Sequence, residues 1–163
     1  GPAENYLNRN AGSMVGLYKS TAEELYFPYV RPQENGHHTD TRWVSLSTGK
    51  KGLLIQADNT IGFNALRNSI EDFDDEEATG LSRQWSNFTP EQVANHDEAA
   101  AKNVLRRQHH INDITPRDFV EVCVDLKQQG VAGYDSWGSR PEPAYTLPAN
   151  REYNWGFTLI PLK

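Results

Sequence analysis

The pattern of apolar and polar residues predicts a chain built mostly of short β-strands. It is clearest over Asp118–Gln128, where aliphatic residues recur at every second position. Because successive strand residues point to opposite faces, Val120, Val122, Val124 and Leu126 share one face. We therefore predict that these four residues lie in the core and that the opposite, charged face meets solvent.

Three further strands with tight turns between them predict an antiparallel meander upstream. They cover Thr41–Ser47, Gly52–Ala57 and Ile61–Asn68, with turns at residues 48–51 and at Asp58-Asn59. Within the first of these strands, Trp43 lies on the opposite face to Val44 and Leu46. Asn35-Gly36, just before this meander, has the composition of a tight turn.

Weaker strand patterns bring the total to about seven, which is typical of a β-sandwich. They lie at Val15–Tyr18, Glu24–Val30, Ala144–Leu147 and Glu152–Pro161. One helix is predicted within Pro90–Arg107, because Thr89 and Pro90 form a helix start and basic residues end the segment. The expected fold is all-β: an antiparallel sandwich with one or two short peripheral helices, in a single domain over residues 1–163.

Composition and charge narrow the range of partners. The formal net charge of −6 and the pI near 5.3 argue against a nucleic-acid partner, which requires a basic surface. No apolar run approaches the roughly 20 residues that a membrane-spanning helix needs. Cys123 is the single cysteine, so no disulfide can form within the chain. We expect no nucleic-acid and no membrane partner.

Two polar clusters are candidate metal or acid–base sites. The acidic run Asp72, Asp74, Asp75, Glu76 and Glu77 lacks the spacing of a calcium loop, and we predict a solvated face there. His109 and His110 are adjacent and cannot share a strand face, so together they form a poor metal site. An acid–base pair is the alternative, and a structural role is the commoner one. We predict no metal site in this chain.

The segment Gln129–Pro143 predicts a shaped loop around one large aromatic residue. Gly133 and Gly138 flank Trp137 closely, and prolines after them stop any strand from continuing. A large apolar ring on such a loop either folds back as a plug or is held outward as a binding surface. The sequence of this segment alone does not show which of the two roles Trp137 has.

Three motifs in a fixed order resemble the carboxy-terminal domain of the β-galactosidases of glycoside hydrolase family 2. They are Gly1-Pro2-x-Glu4-Asn5-Tyr6, the run from Tyr29 to Gly36 (YVRPQENG), and Asp135-Ser136-Trp137-Gly138. The resemblance runs along almost the whole chain. It implies a large antiparallel supersandwich, similar in fold to galactose mutarotases, of which this chain is the later part.

The resemblance also implies the activity. In that family two glutamates on a separate β/α barrel hydrolyse terminal β-galactosides with retention, and the magnesium ligands lie on the barrel as well. It follows that no catalytic residue and no cofactor belongs to this chain, which is expected to be inactive in isolation. The implied partners are a β-galactoside and the remaining domains of the same enzyme, and a homo-oligomeric full enzyme is compatible with the resemblance.

One functional residue carries over by its motif. In the family, the tryptophan of Asp-Ser-Trp reaches into the mouth of the barrel and lines the sugar site, which assigns substrate binding to Trp137. Tyr134, Asp135 and Ser136 are implied supports of this loop. Tyr134 is a departure, because the family often has an acidic residue there, and this change affects the leaving-group side of the site.

Two other classes of protein fit the same residues. A free-standing carbohydrate-binding module would form its platform from Trp137 with Tyr134 or Tyr145. An enzyme of the aldose-epimerase type would use His109 or His110 with a carboxylate, and it would turn over substrate without any other domain.

Overall fold

The computed structural model describes residues 1–29, 34–73, 111–132 and 138–163. Within these residues the regular structure is almost entirely β, with four strands: β1 His38–Ser47, β2 Gly52–Leu66, β3 Glu121–Asp125 and β4 Phe157–Leu162. Short 3₁₀ turns lie at Ile70–Phe73, Ile111–Asp113 and Pro143–Tyr145. The predicted all-β, antiparallel fold class is confirmed. The sandwich stays a prediction, and the helix predicted within Pro90–Arg107 lies outside the described residues.

Strand β2 organises the sheet because it pairs with each of the other three strands. β1 runs antiparallel along one edge of β2, from the pair His38–Phe63 to the pair Ser47–Gly52. The other edge is shared: β4 pairs with the first half of β2 and β3 with the second half. One long strand therefore aligns segments that are far apart in sequence.

The sequence explains why β1 and β2 form a hairpin. Their alternating and β-branched residues favour extended backbone, and Thr48–Lys51 reverses the chain. Gly49 adopts a φ of 83°, and the amide of Thr48 donates to the carbonyl of Lys51 at 2.9 Å. Trp43 is exposed while Val44 and Leu46 are half-buried, so the predicted face assignment is confirmed.

Several predicted boundaries are wrong. The predicted turn at Asp58-Asn59 does not occur, because the chain runs on as the single strand β2. The Asp58 amide donates to the Gly156 carbonyl at 3.0 Å, which keeps the segment extended beside the approach to β4. No strand forms at Val15–Tyr18 or Ala144–Leu147, nor over the described part of Glu24–Val30.

The predicted core face of Asp118–Gln128 also needs correction. The strand is shorter, Glu121–Asp125, and its residues are half-buried on both faces. Val120 is 46% exposed, whereas Val122, Val124 and Leu126 are half-buried. The aliphatic residues at every second position identified the strand, but they could not show how much of either face would be covered.

Chain contacts divide the protein into two compact units. The first contains the whole sheet and comprises Gly1–Phe27, Asn35–Leu66 and Glu121–Lys163; the second comprises Pro28–Glu34 and Arg67–Val120. Among the described residues of the first unit, six apolar side chains form the buried core: Tyr6, Ile55, Ile61, Phe63, Ala65 and Leu66. Most come from the second half of β2, where every residue from 61 to 66 is buried. The prediction of a single domain over residues 1–163 stays a prediction.

A short N-terminal segment is bound to the start of β1 through buried polar groups. The Asn5 amide donates to the His37 carbonyl at 2.8 Å, and the Asn5 side-chain oxygen accepts from the Thr39 amide at 2.9 Å. A carboxylate oxygen of Glu4 accepts from the Gly36 amide at 2.9 Å. These hydrogen bonds satisfy backbone groups that would otherwise be buried without partners.

The two histidines that follow Gly36 are both buried. The ring of His37 stacks on Tyr6 with centroids 5.6 Å apart, and His38 stacks on Phe63 at 5.2 Å. A Cβ at Gly62 would collide with the His37 ring, so β2 needs glycine at this point. Burial lowers the pKa of the His38 imidazole below its ordinary value of 6.5, although a hydrogen bond to the Gly36 carbonyl partly opposes this shift.

In the second unit, the acidic run is not solvated where the structure describes it. Asp72 is buried, and its carboxylate accepts from Arg117 Nε and from the Ser69 amide, both at 3.0 Å. Burial by itself would raise the pKa of Asp72, but these hydrogen bonds outweigh it and hold the pKa below its usual range. The predicted solvated face is therefore wrong for Asp72. The other four acidic residues, from Asp74 to Glu77, lie outside the described residues.

Substituting Gly36 should destabilise the protein far more than substituting Gly49. Gly36 has a φ of 65°, and a Cβ there would lie 2.5 Å from the Leu25 carbonyl oxygen. Gly49 has a φ of 83° with nothing within 4 Å of its Cβ position. We expect Gly36→Ala to lower the free energy of unfolding by about 2–4 kcal/mol and Gly49→Ala by about 1–2 kcal/mol. Denaturant unfolding checks this, and equal costs would contradict the close packing at Gly36.

The buried His38 should make stability depend on pH. Because its pKa is lowered on folding, the unfolded state binds the proton first as the pH falls. The free energy of unfolding should then be highest above about pH 7 and should decrease towards about pH 5. His38→Gln, which keeps a hydrogen-bond donor but does not titrate, should show a smaller decrease. Identical pH profiles of unfolding for the two proteins would contradict the shift.

Candidate functional site

The centre of the predicted binding loop, Gly133–Trp137, lies outside the described residues. Tyr134, Asp135, Ser136 and Trp137 therefore have no position here, and neither do His109 and His110. The assignment of these residues stays a prediction. What the structure does describe is the backbone on both sides of the loop, at residues 128–132 and 138–145, and this backbone is held by specific contacts in the first unit.

The entry to the loop is held by the side chain of Asn8. Its Oδ1 accepts from the Val131 amide at 2.8 Å, and its Nδ2 donates to the Val131 carbonyl at 2.9 Å. One side-chain amide thus satisfies both backbone groups of Val131, as a neighbouring strand would. Arg9 donates to the carbonyl of the next residue, Ala132, at 3.2 Å. These bonds fix the direction in which the chain enters the loop.

The far side of the loop returns to its entry. The Gly130 amide donates to the Tyr145 carbonyl at 2.7 Å, and a Cβ at Gly130 would lie only 2.7 Å from Tyr145 Cβ. Glycine at position 130 therefore permits the two ends to approach. Gly138, directly after the loop centre, has a φ of 94°, a conformation that few other residues adopt. Tyr145 itself is half-buried in the 3₁₀ turn Pro143–Tyr145.

The segment Glu4–Arg9 links the loop to the sheet, and we name it the N-terminal brace. Its first residues bind the start of β1, and Asn8 and Arg9 bind the loop entry. The isolated pairing of Tyr6 with Arg9 makes it a tight turn. This structural role was not predicted from the sequence. The available signal was the pair of asparagines at positions 5 and 8, whose side chains can replace backbone partners.

This arrangement can present a side chain from a fixed loop base. Both ends of the loop are hydrogen-bonded, so the ordering entropy of the loop is reduced before any ligand binds. Within the described part of the chain, no helix has the length and apolar character required to span a membrane.

Comparison with known proteins places the chain in one family. The model of the family described as "Beta galactosidase small chain" matches residues 1–159. A β-galactosidase of Priestia megaterium is 34% identical over 163 residues, which cover 99% of this chain and 13% of that protein. A β-galactosidase of Streptococcus thermophilus is 28% identical over 164 residues, with 99% and 13% covered.

A β-galactosidase of an Arthrobacter species is 40% identical over 78 residues, which cover 44% of this chain and 8% of that protein. The chain thus spans about an eighth of the length of the relatives that it matches along its whole length. Because the family model covers nearly the whole chain, this protein belongs to the β-galactosidase small-chain family.

Proposed function

We propose that this chain is the part of a β-galactosidase that carries one substrate-contacting residue, Trp137, to an active site on another domain. The reaction is hydrolysis of terminal β-D-galactosides. The observation that carries the proposal is the family match over residues 1–159, a range that includes position 137. The described residues on both sides of the predicted loop are hydrogen-bonded within the first unit, which supports a positioned loop.

In a family 2 enzyme, the residues that carry out the reaction lie on a separate barrel domain. Retaining hydrolysis uses two carboxyl groups about 5–5.5 Å apart, one as acid and base and the other as nucleophile. We assign neither of these groups, and none of the magnesium ligands, to this chain. On this proposal the chain alone carries no hydrolytic activity, and its partners are the galactoside and the other domains.

The role of Trp137 follows from the surface of the sugar. Galactose presents a patch of C–H groups, and a flat indole can cover this patch while excluding water from the reacting bond. Such a contact contributes most when the ring is positioned in advance, because little entropy is then lost on binding. Tyr134, Asp135 and Ser136 complete the loop that positions the ring.

A role as part of a β-galactosidase is favoured over the two alternative functions. The relatives that match this chain along its length are β-galactosidases many times longer than it, which supports a role inside such an enzyme. A free-standing module built on Trp137 with Tyr134 or Tyr145, or an epimerase using His109 or His110, would have to work without those further domains.

Replacing Trp137 tests the proposed function in the intact β-galactosidase that contains this chain. Trp137→Ala should lower kcat/KM for a chromogenic β-galactoside by about 1–3 kcal/mol of transition-state stabilisation, because the sugar loses its stacking surface. Trp137→Phe should recover part of the loss, because a smaller flat ring still stacks. Steady-state kinetics and melting curves measure both effects. A sharply lower melting temperature with unchanged kinetics would show a plug and overturn the proposal.

Replacing Asn8 tests whether the loop base matters for activity. Asn8→Ala removes both hydrogen bonds to Val131, so the loop entry should lose its fixed direction. We expect kcat/KM to fall by about 10- to 100-fold, because small misplacements of positioning groups are costly. Asn154→Ala is the matched control, since Asn154 is exposed and bonds only to Glu152 among the described residues. Equal kinetics for the two variants would show that the brace is structural only.

A further inference from the structure

A second exposed tryptophan lies on the sheet, in a region that the proposed function does not use. Trp43 of β1 is 49% exposed and lines an open concavity of about 500 Å³. The other lining residues are Arg42 from β1 and Leu54, Gln56, Ala57 and Asn59 from β2. All six belong to the first unit. A single exposed aromatic residue is common on protein surfaces, but here the indole lies in a concavity together with three polar side chains, a combination typical of binding sites.

The concavity coincides with an interruption in the β1–β2 ladder. Thr41 pairs with Ile61, but the next paired residue of β1, Trp43, faces Gln56. β2 therefore carries several extra residues opposite Arg42, and Asn59 lies among them. Asp40, just before this point, has a φ of 54°, which is uncommon for residues other than glycine. Interruptions of this kind redirect side chains and occur often beside binding sites.

The polar groups of the concavity are available to a ligand. Arg42, Gln56 and Asn59 are all exposed. No hydrogen bond or ion pair found within the described parts of the chain uses the side chain of any of the three. Together they offer guanidinium and amide donors and amide acceptors, but no carboxylate. This set does not suit a metal cation. It does suit hydroxyl groups, which both donate and accept.

We propose that Trp43, Arg42, Gln56 and Asn59 form a binding site for a hexopyranose, separate from the Trp137 loop. The indole covers the C–H face of the sugar ring, while the amides and the guanidinium bind the hydroxyls at its rim. The interrupted ladder provides the recess in which the ring sits. An open site with one aromatic platform binds weakly, so it would hold the terminal unit of a longer saccharide or a sugar present at high concentration.

The test uses the intact protein in which this chain occurs and a thiogalactoside bearing a photoreactive diazirine, because the thio linkage resists hydrolysis. Labelled peptides are mapped by mass spectrometry, and the affinity of the Trp43 site is taken from the concentration of methyl thiogalactoside that competes with labelling of its peptide. We expect labelling of the peptide that contains Trp43. Trp43→Ala should weaken this binding by about tenfold or more, and Trp43→Phe should weaken it less.

Two control variants separate this site from other tryptophans. Trp155 is also exposed, at 45%, but it lies beside Phe157 and does not line the concavity. Trp155→Ala should leave labelling at Trp43 unchanged. Trp137→Ala should also leave it unchanged even if it abolishes hydrolysis, so failure of the proposed function and failure of this site can be told apart. Asn59→Ala should weaken binding without removing the indole.

Each outcome decides the proposal. Loss of labelling in Trp43→Ala, with an unchanged melting curve and unchanged hydrolysis of a small chromogenic galactoside, supports the site. Equal labelling or equal affinity in Trp43→Ala and the unmodified protein overturns it. A lack of any labelling of this peptide also overturns it and would indicate that another part of the protein covers Trp43.

Discussion

The structure depends on one set of hydrogen bonds, between the N-terminal brace and the chain from Gly36 to Thr39. Asn5 pairs with that chain through both its backbone and its side chain, and Glu4 accepts from the Gly36 amide. Without these bonds the polar groups at the start of β1 would be buried and unsatisfied, at a cost of about 1–3 kcal/mol for each group. The brace therefore holds the start of the sheet.

The same brace reaches the candidate site only a few residues later. Asn8 satisfies both backbone groups of Val131, and Arg9 binds Ala132. A segment with little regular structure thus couples the sheet to the base of the Trp137 loop. This arrangement needs polar side chains rather than apolar ones, because side-chain amides can both donate to and accept from an extended backbone. The buried asparagines of the first unit, at positions 5, 35 and 64, follow the same logic.

Sequence patterns could predict several of the strands and the turn at residues 48–51, but not the long-range contacts. Alternation identified β1 and the outward face of Trp43, and the composition of the β1–β2 connector identified it as a turn. Asp58-Asn59 has the composition of a turn as well, yet the chain stays extended there, and the Asp58 amide donates to the Gly156 carbonyl beside β4. The burial of Asp72 depends on Arg117, which is distant in the sequence, and composition alone favours solvent for an acidic run. The assignment of Trp137 comes from the family motifs alone and stays a prediction, because residues 133–137 lie outside the described residues.

In the two proposals above, Trp43 and Trp137 hold an aromatic ring for a ligand in different ways. Trp43 is carried by a strand that is hydrogen-bonded to its neighbour on either side of the interruption, so its backbone is fixed by the sheet. Trp137 belongs to a predicted loop, and what the structure describes is the hydrogen bonds of the residues on both sides of it. A site on a strand is more rigid, and a site on a loop can adjust to the surface that it meets. A loop therefore suits a residue that must fit against another domain, whereas a strand suits one that acts within its own sheet.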